Sequence, residues 1–311
     1  MKYAVLIVNF NTARFVAQAV ESVLRCATAD DFTITIVDNN SVESDLLLLR
    51  QIKHPRVCIR ELNCNGGFAV GYNTAAKFAA QDFRPDFLIV MNPDVQLLAK
   101  GSIETLIHAV EQSEVSVVGA QPLIDNYRLP GKPAEQISIR RVPDFWDLFI
   151  AESVILRYVC VKRIKRFRMD DARPYGRHTR FSVPSGAFFL IRAQAFWSVG
   201  GFDENTFLYG EEQILGKKLQ MHDKCFMFEP SVTVQHFHAA ATEMDRFRPN
   251  RRMYKYARDS HLYYAQEYLE AGRLKRRLLF AASELGYIIR YVASLVLSAR
   301  RFFETLSERR S

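Results

Sequence analysis

The sequence predicts an α/β fold: a mainly parallel central sheet with helices on both faces, followed by a helical C-terminal tail. Three observations carry this. Apolar runs of strand length alternate with segments of helical spacing through the first 120 residues. Asn and Asp side chains stand directly after four of those runs. Beyond residue 248 the strand rhythm stops and only helical patterning remains.

Tyr3 to Val8 is a continuous apolar run and reads as a buried first strand. Phe15 to Leu24 places Phe15, Val16, Ala19, Val20, Val23 and Leu24 on one side of a helix. Phe32 to Val37 predicts a second strand ending at Asp38. Leu46 to Ile52 predicts a helix, Val57 to Arg60 a short strand, and Ala69 to Ala80 a helix. Phe87 to Met91 predicts a buried strand, Ile103 to Val110 a helix, and Val115 to Val118 a strand. Such alternation implies parallel pairing with covered faces. From about Pro122 to Arg180 the pattern loosens, which reads as a variable insertion carrying substrate contacts. It tightens again in a strand-like stretch, Ser182 to Arg192, a helix at Glu212 to Met221, and a strand at Phe226 to Val234. His236 and His238 follow.

The chain has 311 residues, enough for a substantial core. Lys plus Arg is 42 and Asp plus Glu is 34, a net charge of +8. The excess is local: one basic cluster runs from Arg157 to Arg168 and another occupies the tail from Arg273. Such clusters suit lipid headgroups, phosphates or a solvated face. No nucleic-acid-binding module accompanies them, so nucleic acid is not an expected partner. The five cysteines are scattered without a Cys-x-x-Cys pair, which argues against a disulfide framework or zinc ribbon and fits a cytoplasmic setting. Leu278 to Leu297 is apolar but interrupted by Glu284 and Arg290. An interfacial helix fits better than a membrane span, with packing on the domain or another subunit as the alternative.

In an open parallel sheet, ligands bind at the carboxyl ends of strands. The candidates are therefore Asn9 and Asn11, then Asp38, then Asn65-Gly66-Gly67-Phe68, then Asn92-Pro93-Asp94. Asp38 can accept the imide N–H of a pyrimidine base, or cap the next helix. The glycines of Asn65 to Phe68 let backbone approach a ligand at a helix start. Asp94 offers a hard oxygen suited to Mg or Mn; a plain turn is the alternative. Glu211 and Glu212 open a helix, where one carboxylate could deprotonate a hydroxyl, although the macrodipole favours acids there without catalysis. His236 could complete a metal site with Asp94, or be an ordinary core-edge histidine.

Together these residues resemble family-2 glycosyltransferases of the GT-A fold, especially the rhamnosyltransferase-like members. The resemblance covers roughly Tyr3 to Tyr264. It rests on Val37-Asp38-Asn39, Asn65-Gly66-Gly67-Phe68-Ala69, Asn92-Pro93-Asp94, Ser185-Gly186-Ala187, Gly200-Gly201-Phe202-Asp203-Glu204, Tyr209-Gly210-Glu211-Glu212 and His236. It implies a GT-A domain over 1–247, with a nucleotide-sugar half (1–120) and an acceptor half (121–247), and a tail over 248–311. It implies an inverting transfer from a dTDP- or UDP-sugar, dTDP-rhamnose among them. The acceptor would be a saccharide or a polyprenyl-diphosphate-linked one, in bacterial surface-polysaccharide synthesis. Asp38 would bind the base, and Asn65 to Phe68 would line the donor. Asn9, Asn11, Asn92, Ser185, Gly186 and Asp203 would join the substrate site. Asp94 and His236 would bind a Mg or Mn cation, and Glu212 would be the base with Glu211 beside it. The expected location is the cytoplasmic face of the membrane, with contact through the basic tail.

Three departures from the family pattern stand out. Asn92 replaces the first acid of the usual Asp-x-Asp, Glu212 replaces the usual Asp, and Ile214-Leu215 and Lys218 stand where the family has Asp-Leu and Arg after the acidic pair. The rivals are a non-catalytic nucleotide-sugar-binding scaffold and a nucleotidyltransferase. The second would be expected to carry a glycine-rich loop after the first strand, where this chain has Asn9 to Arg14 without glycine.

Overall fold

In a computed structural model, the described residues are 2–126, 135–136, 139–169, 178–237 and 250–308. The first half runs β1 (Tyr3–Asn9), α1 (Ala13–Cys26), β2 (Phe32–Asp38), α2 (Glu43–Leu49), β3 (Val57–Glu61), α3 (Gly67–Asp82), β4 (Phe87–Met91), β5 (Val95–Leu97), α4 (Ser102–Glu111) and β6 (Val117–Asn126). The second runs β7 (Glu135–Gln136), α5 (Phe145–Glu152), α6 (Leu156–Val159), α7 (Val161–Phe167), β8 (Thr179–Phe181), β9 (Phe188–Arg192), α8 (Ala193–Ser198), α9 (Glu211–Gln220), β10 (Cys225–His236), α10 (Arg251–Glu267) and α11 (Arg273–Glu308).

Among the described residues the strands form one sheet, ordered β3-β2-β1-β4-β9-β6-β10-β5, with β7 on β6 and β8 on β10. The β3-β2-β1-β4 section is parallel. β9 then pairs antiparallel with both β4 and β6, so the sheet is mixed. The two-residue period of β1 explains its full burial. Tyr3, Val5 and Ile7 join a core with Val16 and Val20 of α1 and Leu106 of α4. Ala4 and Leu6 face the other way, onto Tyr72, Ala75 and Ala76 of α3. A strand covered on both faces loses the polar alternation of a half-exposed one.

The structure departs from the sequence reading in three places. The expected strand over 182–192 is regular only from Phe188, since Pro184, Ser185 and Gly186 break the ladder. The strand expected at 115–118 begins at Val117 and continues to Asn126. Among the described residues, the loosened segment after Pro122 holds three helices. The longest, α5, is fixed by a reciprocal capping box between Asp144 and Asp147. Phe145 and Leu148 of α5, Ile214 of α9, Tyr264 of α10 and Leu279 of α11 share a third core. The Tyr264 hydroxyl donates to the Pro143 carbonyl at 3.0 Å.

Asn73 fastens α3 to the 202–204 loop. Its Nδ2 donates to the Phe202 carbonyl and to Glu204 Oε1, each at 2.9 Å, and its Oδ1 accepts the Phe202 amide at 2.9 Å. Gly201 lies at φ +66°, and a Cβ there would stand 2.7 Å from Asn73 Oδ1. Asn73→Ala would orphan both backbone groups of Phe202. We expect a loss of about 2–3 kcal/mol in urea unfolding.

Candidate functional site

The carboxyl ends of β1 and β2 meet in a closed polar network. Asn9 Nδ2 donates to Asp38 Oδ1 (2.7 Å), Asp45 Oδ2 (2.7 Å) and Ser41 Oγ (3.1 Å). The Ser41 hydroxyl donates to Asp38 Oδ1 at 2.6 Å, and the Ser41 amide to Asp38 Oδ2 at 2.9 Å. The parallel register that pairs Asn9 with Asp38 brings these side chains together. Asn11, at φ +57°, accepts the Val42 amide through Oδ1 at 2.9 Å and so orders the neighbouring loop.

The glycine turn comes next. Asn65 Oδ1 accepts the Gly67 amide at 2.9 Å, and Asn39 Nδ2 donates to the Gly67 carbonyl at 2.8 Å. Gly67 lies at φ +84°, and a Cβ there would overlap the Phe207 carbonyl. Gly66 lies against Val70, so its own Cβ would stand only 2.6 Å from that side chain. The Phe68 ring packs on Tyr72, with centroids 4.4 Å apart.

β4 delivers Asn92-Pro93-Asp94 to the same edge. The Val95 amide donates back to the Asn92 carbonyl at 3.2 Å and closes the turn. β5 pairs antiparallel with β10 so that His236 lies opposite Val95. His236 Nε2 thereby sits 3.2 Å from Asp94 Oδ1, with both side chains largely buried. His238 lies outside the described residues. Two donors so close, one a carboxylate, suit a divalent cation that takes its other ligands from phosphate and water. Among the described residues, no group of three or more His, Cys, Asp or Glu side chains forms a complete cage.

Tyr72, which no motif in the sequence marks, lies beside the Asn92-Pro93-Asp94 turn. Its hydroxyl donates to the Met91 carbonyl at 2.9 Å and lies 3.4 Å from Asn92 Oδ1. Burial, then the charges of Asp94 and Glu212, push its phenol well above the usual range, so it remains a neutral donor.

Glu211 and Glu212 open α9 after a turn with Tyr209 at φ +72° and Gly210 at φ +90°. Adjacent in sequence, they occupy different environments. Glu211 is buried, and its Oε1 has no hydrogen-bond partner. Burial, then the charge of Glu212, push it up to about 8. Glu212 is only partly buried and lies against Gly186, where a Cβ would overlap Glu212 Oε1 and approach Phe68 Cζ at 3.3 Å. The Ser185 amide donates to Gln121 Oε1 at 2.6 Å, fixing the Ser185-Gly186 turn. Asp203 belongs elsewhere. Its Oδ1 accepts the amide and side chain of Asn205, and its Oδ2 accepts the hydroxyls of Tyr263 and Tyr268. It ties the 200–206 loop to α10.

The Asn9–Asp38 network, the Asp94–His236 pair and the Glu212 carboxylate gather at the strand ends of a mixed sheet, the arrangement of the GT-A class of sugar-nucleotide enzyme. Residues 4–200 match the model of glycosyl transferase family 2, and the chain belongs to that family and is a glycosyltransferase. It is 28% identical over 239 residues to N-acetylglucosaminyl-diphospho-decaprenol L-rhamnosyltransferase of Mycobacterium tuberculosis, covering 71% of this chain and 72% of that one. It is 25% identical over 225 residues to rhamnosyltransferase WbbL of Escherichia coli, covering 70% and 78%. Among solved structures, it resembles the mannosyltransferase PcManGT of Pyrobaculum calidifontis in complex with GDP-Man and Mn2+. There the TM-score is 0.54 at 14% identity, over 96% of this chain and 75% of that one. TarS of S. aureus in complex with UDP-GlcNAc gives a TM-score of 0.53 at 13% identity, over 94% and 73%.

The raised Glu211 value carries a sign for stability. The folded chain holds this proton more tightly than the unfolded chain, whose reference is 4.5. The contribution is full below that reference and is lost as pH rises through about 8. Urea midpoints of wild type and Glu211→Gln should therefore diverge in the variant's favour from about pH 5 to about pH 8.5. Parallel profiles would show that Glu211 does not bind a proton on folding.

Proposed function

We propose that the chain is an inverting, metal-dependent glycosyltransferase that moves a deoxyhexose such as rhamnose from its dTDP-sugar to a lipid-diphosphate-linked saccharide. The observation that carries this reading is the packed pair Phe68 and Tyr72: the Tyr72 hydroxyl lies 3.4 Å from Asn92 Oδ1 beside Asp94, and Phe68 shares the space over Gly186 with Glu212. A donor held at Asp94 would thus lie within reach of an acceptor held at Glu212. The likeness to rhamnosyltransferases supports the sugar class, and the lipid-diphosphate acceptor in the mycobacterial relative's name supports the acceptor class.

In this mechanism Asn9 and Ser41 spend their hydrogen bonds holding Asp38, so Asn9 shapes the base edge from behind without touching the base, and Gly66 to Phe68 line the donor. Asp94 and His236 would hold a Mg or Mn ion, which when bound neutralises the departing diphosphate. Glu212 takes the proton of an acceptor hydroxyl, whose oxygen bonds to the anomeric carbon as the bond to the nucleoside diphosphate breaks. The electron pair leaves with the diphosphate. Glu211, holding its proton, leaves the negative charge of the pair on Glu212. Asp94→Ala and Glu212→Gln should each lower transfer by about 10²–10⁴-fold. A thermal-shift panel with Mn²⁺ should single out dTDP or UDP among nucleotides, because only a bound ligand raises apparent stability. Wild-type turnover in either variant would refute the assignment.

Peripheral membrane contact belongs to the same reading. α11 buries Leu279, Ser283 and Gly286 on one side. On the opposite side Leu274, Leu278, Leu285, Ile288, Val292 and Val296 are exposed. Arg273–Val296 is apolar enough to cross a bilayer by length and composition. Its packing against α5 and α10 favours lying in the interface instead. Replacing Leu285, Ile288 and Val292 with Glu should abolish flotation with anionic liposomes while leaving the fold intact by circular dichroism. Unchanged flotation would remove α11 as the contact.

A further inference from the structure

Arg140 is a charged side chain left without a partner beside the acids. Its backbone bridges Val183: the Arg140 amide donates to the Val183 carbonyl at 3.2 Å, and the Val183 amide donates back at 2.9 Å. The same segment receives α9, since a Cβ on Gly216 would meet the Ser182 carbonyl at 2.5 Å and Val183 Cγ2 at 2.9 Å. A few residues on, Gly186 abuts Glu212. Arg140 and Glu212 thus flank one short stretch, 182–186.

The guanidinium Nε is enclosed and has no hydrogen-bond partner. Among the described residues, no carboxylate forms an ion pair with Arg140. Burial holds the guanidinium below its usual range, the charge of Glu212 opposes that, and Arg168 adds to it. A charge withdrawn from water without a counter-charge is unfavourable, and a planar guanidinium matches phosphate oxygens in bidentate fashion. α7 lies alongside, with the Arg141 amide donating to the Phe167 carbonyl at 3.1 Å, and it exposes Lys162, Lys165 and Arg166. Their field favours an anion entering from that side. The donor groups Asn9, Asp38 and Asp94 belong to the ends of β1, β2 and β4, on other elements of the fold.

We propose that Arg140 is the phosphate-recognising residue of the acceptor subsite, pairing with an acceptor phosphate while the acceptor hydroxyl faces Glu212. This rests on the reading of the chain as a transferase to phosphate-linked saccharides, and the test separates the two. Arg140→Gln should raise KM for farnesyl-diphospho-N-acetylglucosamine by about 10–100-fold. KM for the phosphate-free octyl N-acetylglucosaminide and the affinity for dTDP with Mn²⁺ should stay at wild-type values, and Arg140→Lys should recover part of the loss. An equal rise for both acceptors, or weakened dTDP binding, would overturn the proposal. Calorimetry with inorganic pyrophosphate in metal-free buffer is independent of turnover. The wild type should bind it at least about tenfold more tightly than Arg140→Gln. Equal affinities would overturn the subsite even if transfer proceeds. A clear difference without transfer to either acceptor would support the subsite and count against the transferase reading.

Discussion

The Phe68 amide donates to the Phe207 carbonyl at 2.9 Å, and the geometry of the site depends on that contact. It joins the first turn of α3 to the loop that leads into Glu211 and Glu212. The backbones come this close only because residue 67 has no Cβ and can adopt φ +84°. Asn39 adds the end of β2 to the same junction through the Gly67 carbonyl. Asn73, two turns along α3, grips the 202–204 loop. α3 is therefore held to the 202–207 loop by one backbone bond and the Asn73 side chain, and to the end of β2 by Asn39. The placement of Glu211 and Glu212 relative to α3 follows from that junction.

Within that frame, burial sorts the charges. Glu211 and Glu212 are neighbours at a helix start, where the macrodipole favours both. Only Glu211 is withdrawn from water, and like charges cannot share so small a volume without one keeping its proton. Tyr72 follows the same logic under the charges of Asp94 and Glu212. The metal pair differs again. Asp94 and His236 come from strands far apart in sequence and meet because β5 and β10 pair in a fixed register.

Much of this was legible in the sequence because the first half obeys simple periodicities. β4 falls on the expected Phe87 to Met91, and β1, β2 and α1 fall within a few residues of expectation. The strand ends gave the polar candidates because a strand's end is local information. The direction of β9 was not legible, since a short apolar run carries no mark of which way its neighbour runs. Nor were α5 to α7: α5 rests on its capping box and on packing with α10 and α11, and α6 and α7 pack on α5 in turn. Asp203 reads as a site residue in its motif, yet its oxygens are taken by Asn205, Tyr263 and Tyr268, partners that only tertiary structure supplies. Tyr72 and Arg140 carry no motif and emerge only from what surrounds them.

The two edges of the site also differ in how far the protein satisfies its own polar groups. At the ends of β1 and β2, Asn9, Asp38, Ser41 and Asp45 bond one another in a closed set, with Asn39 Oδ1 beside them left open. Around the acids more atoms are left open. Glu211 Oε1, Gln213 Oε1, Gln121 Nε2 and Arg140 Nε are enclosed yet unpartnered. Buried polar atoms are nearly always paired in folded proteins, and leaving one unpaired costs about 1–3 kcal/mol. Several such atoms concentrated on the segments that flank Glu212 stabilise nothing in the free chain. In the reading proposed above, a polar, partly anionic acceptor would complete that set of bonds.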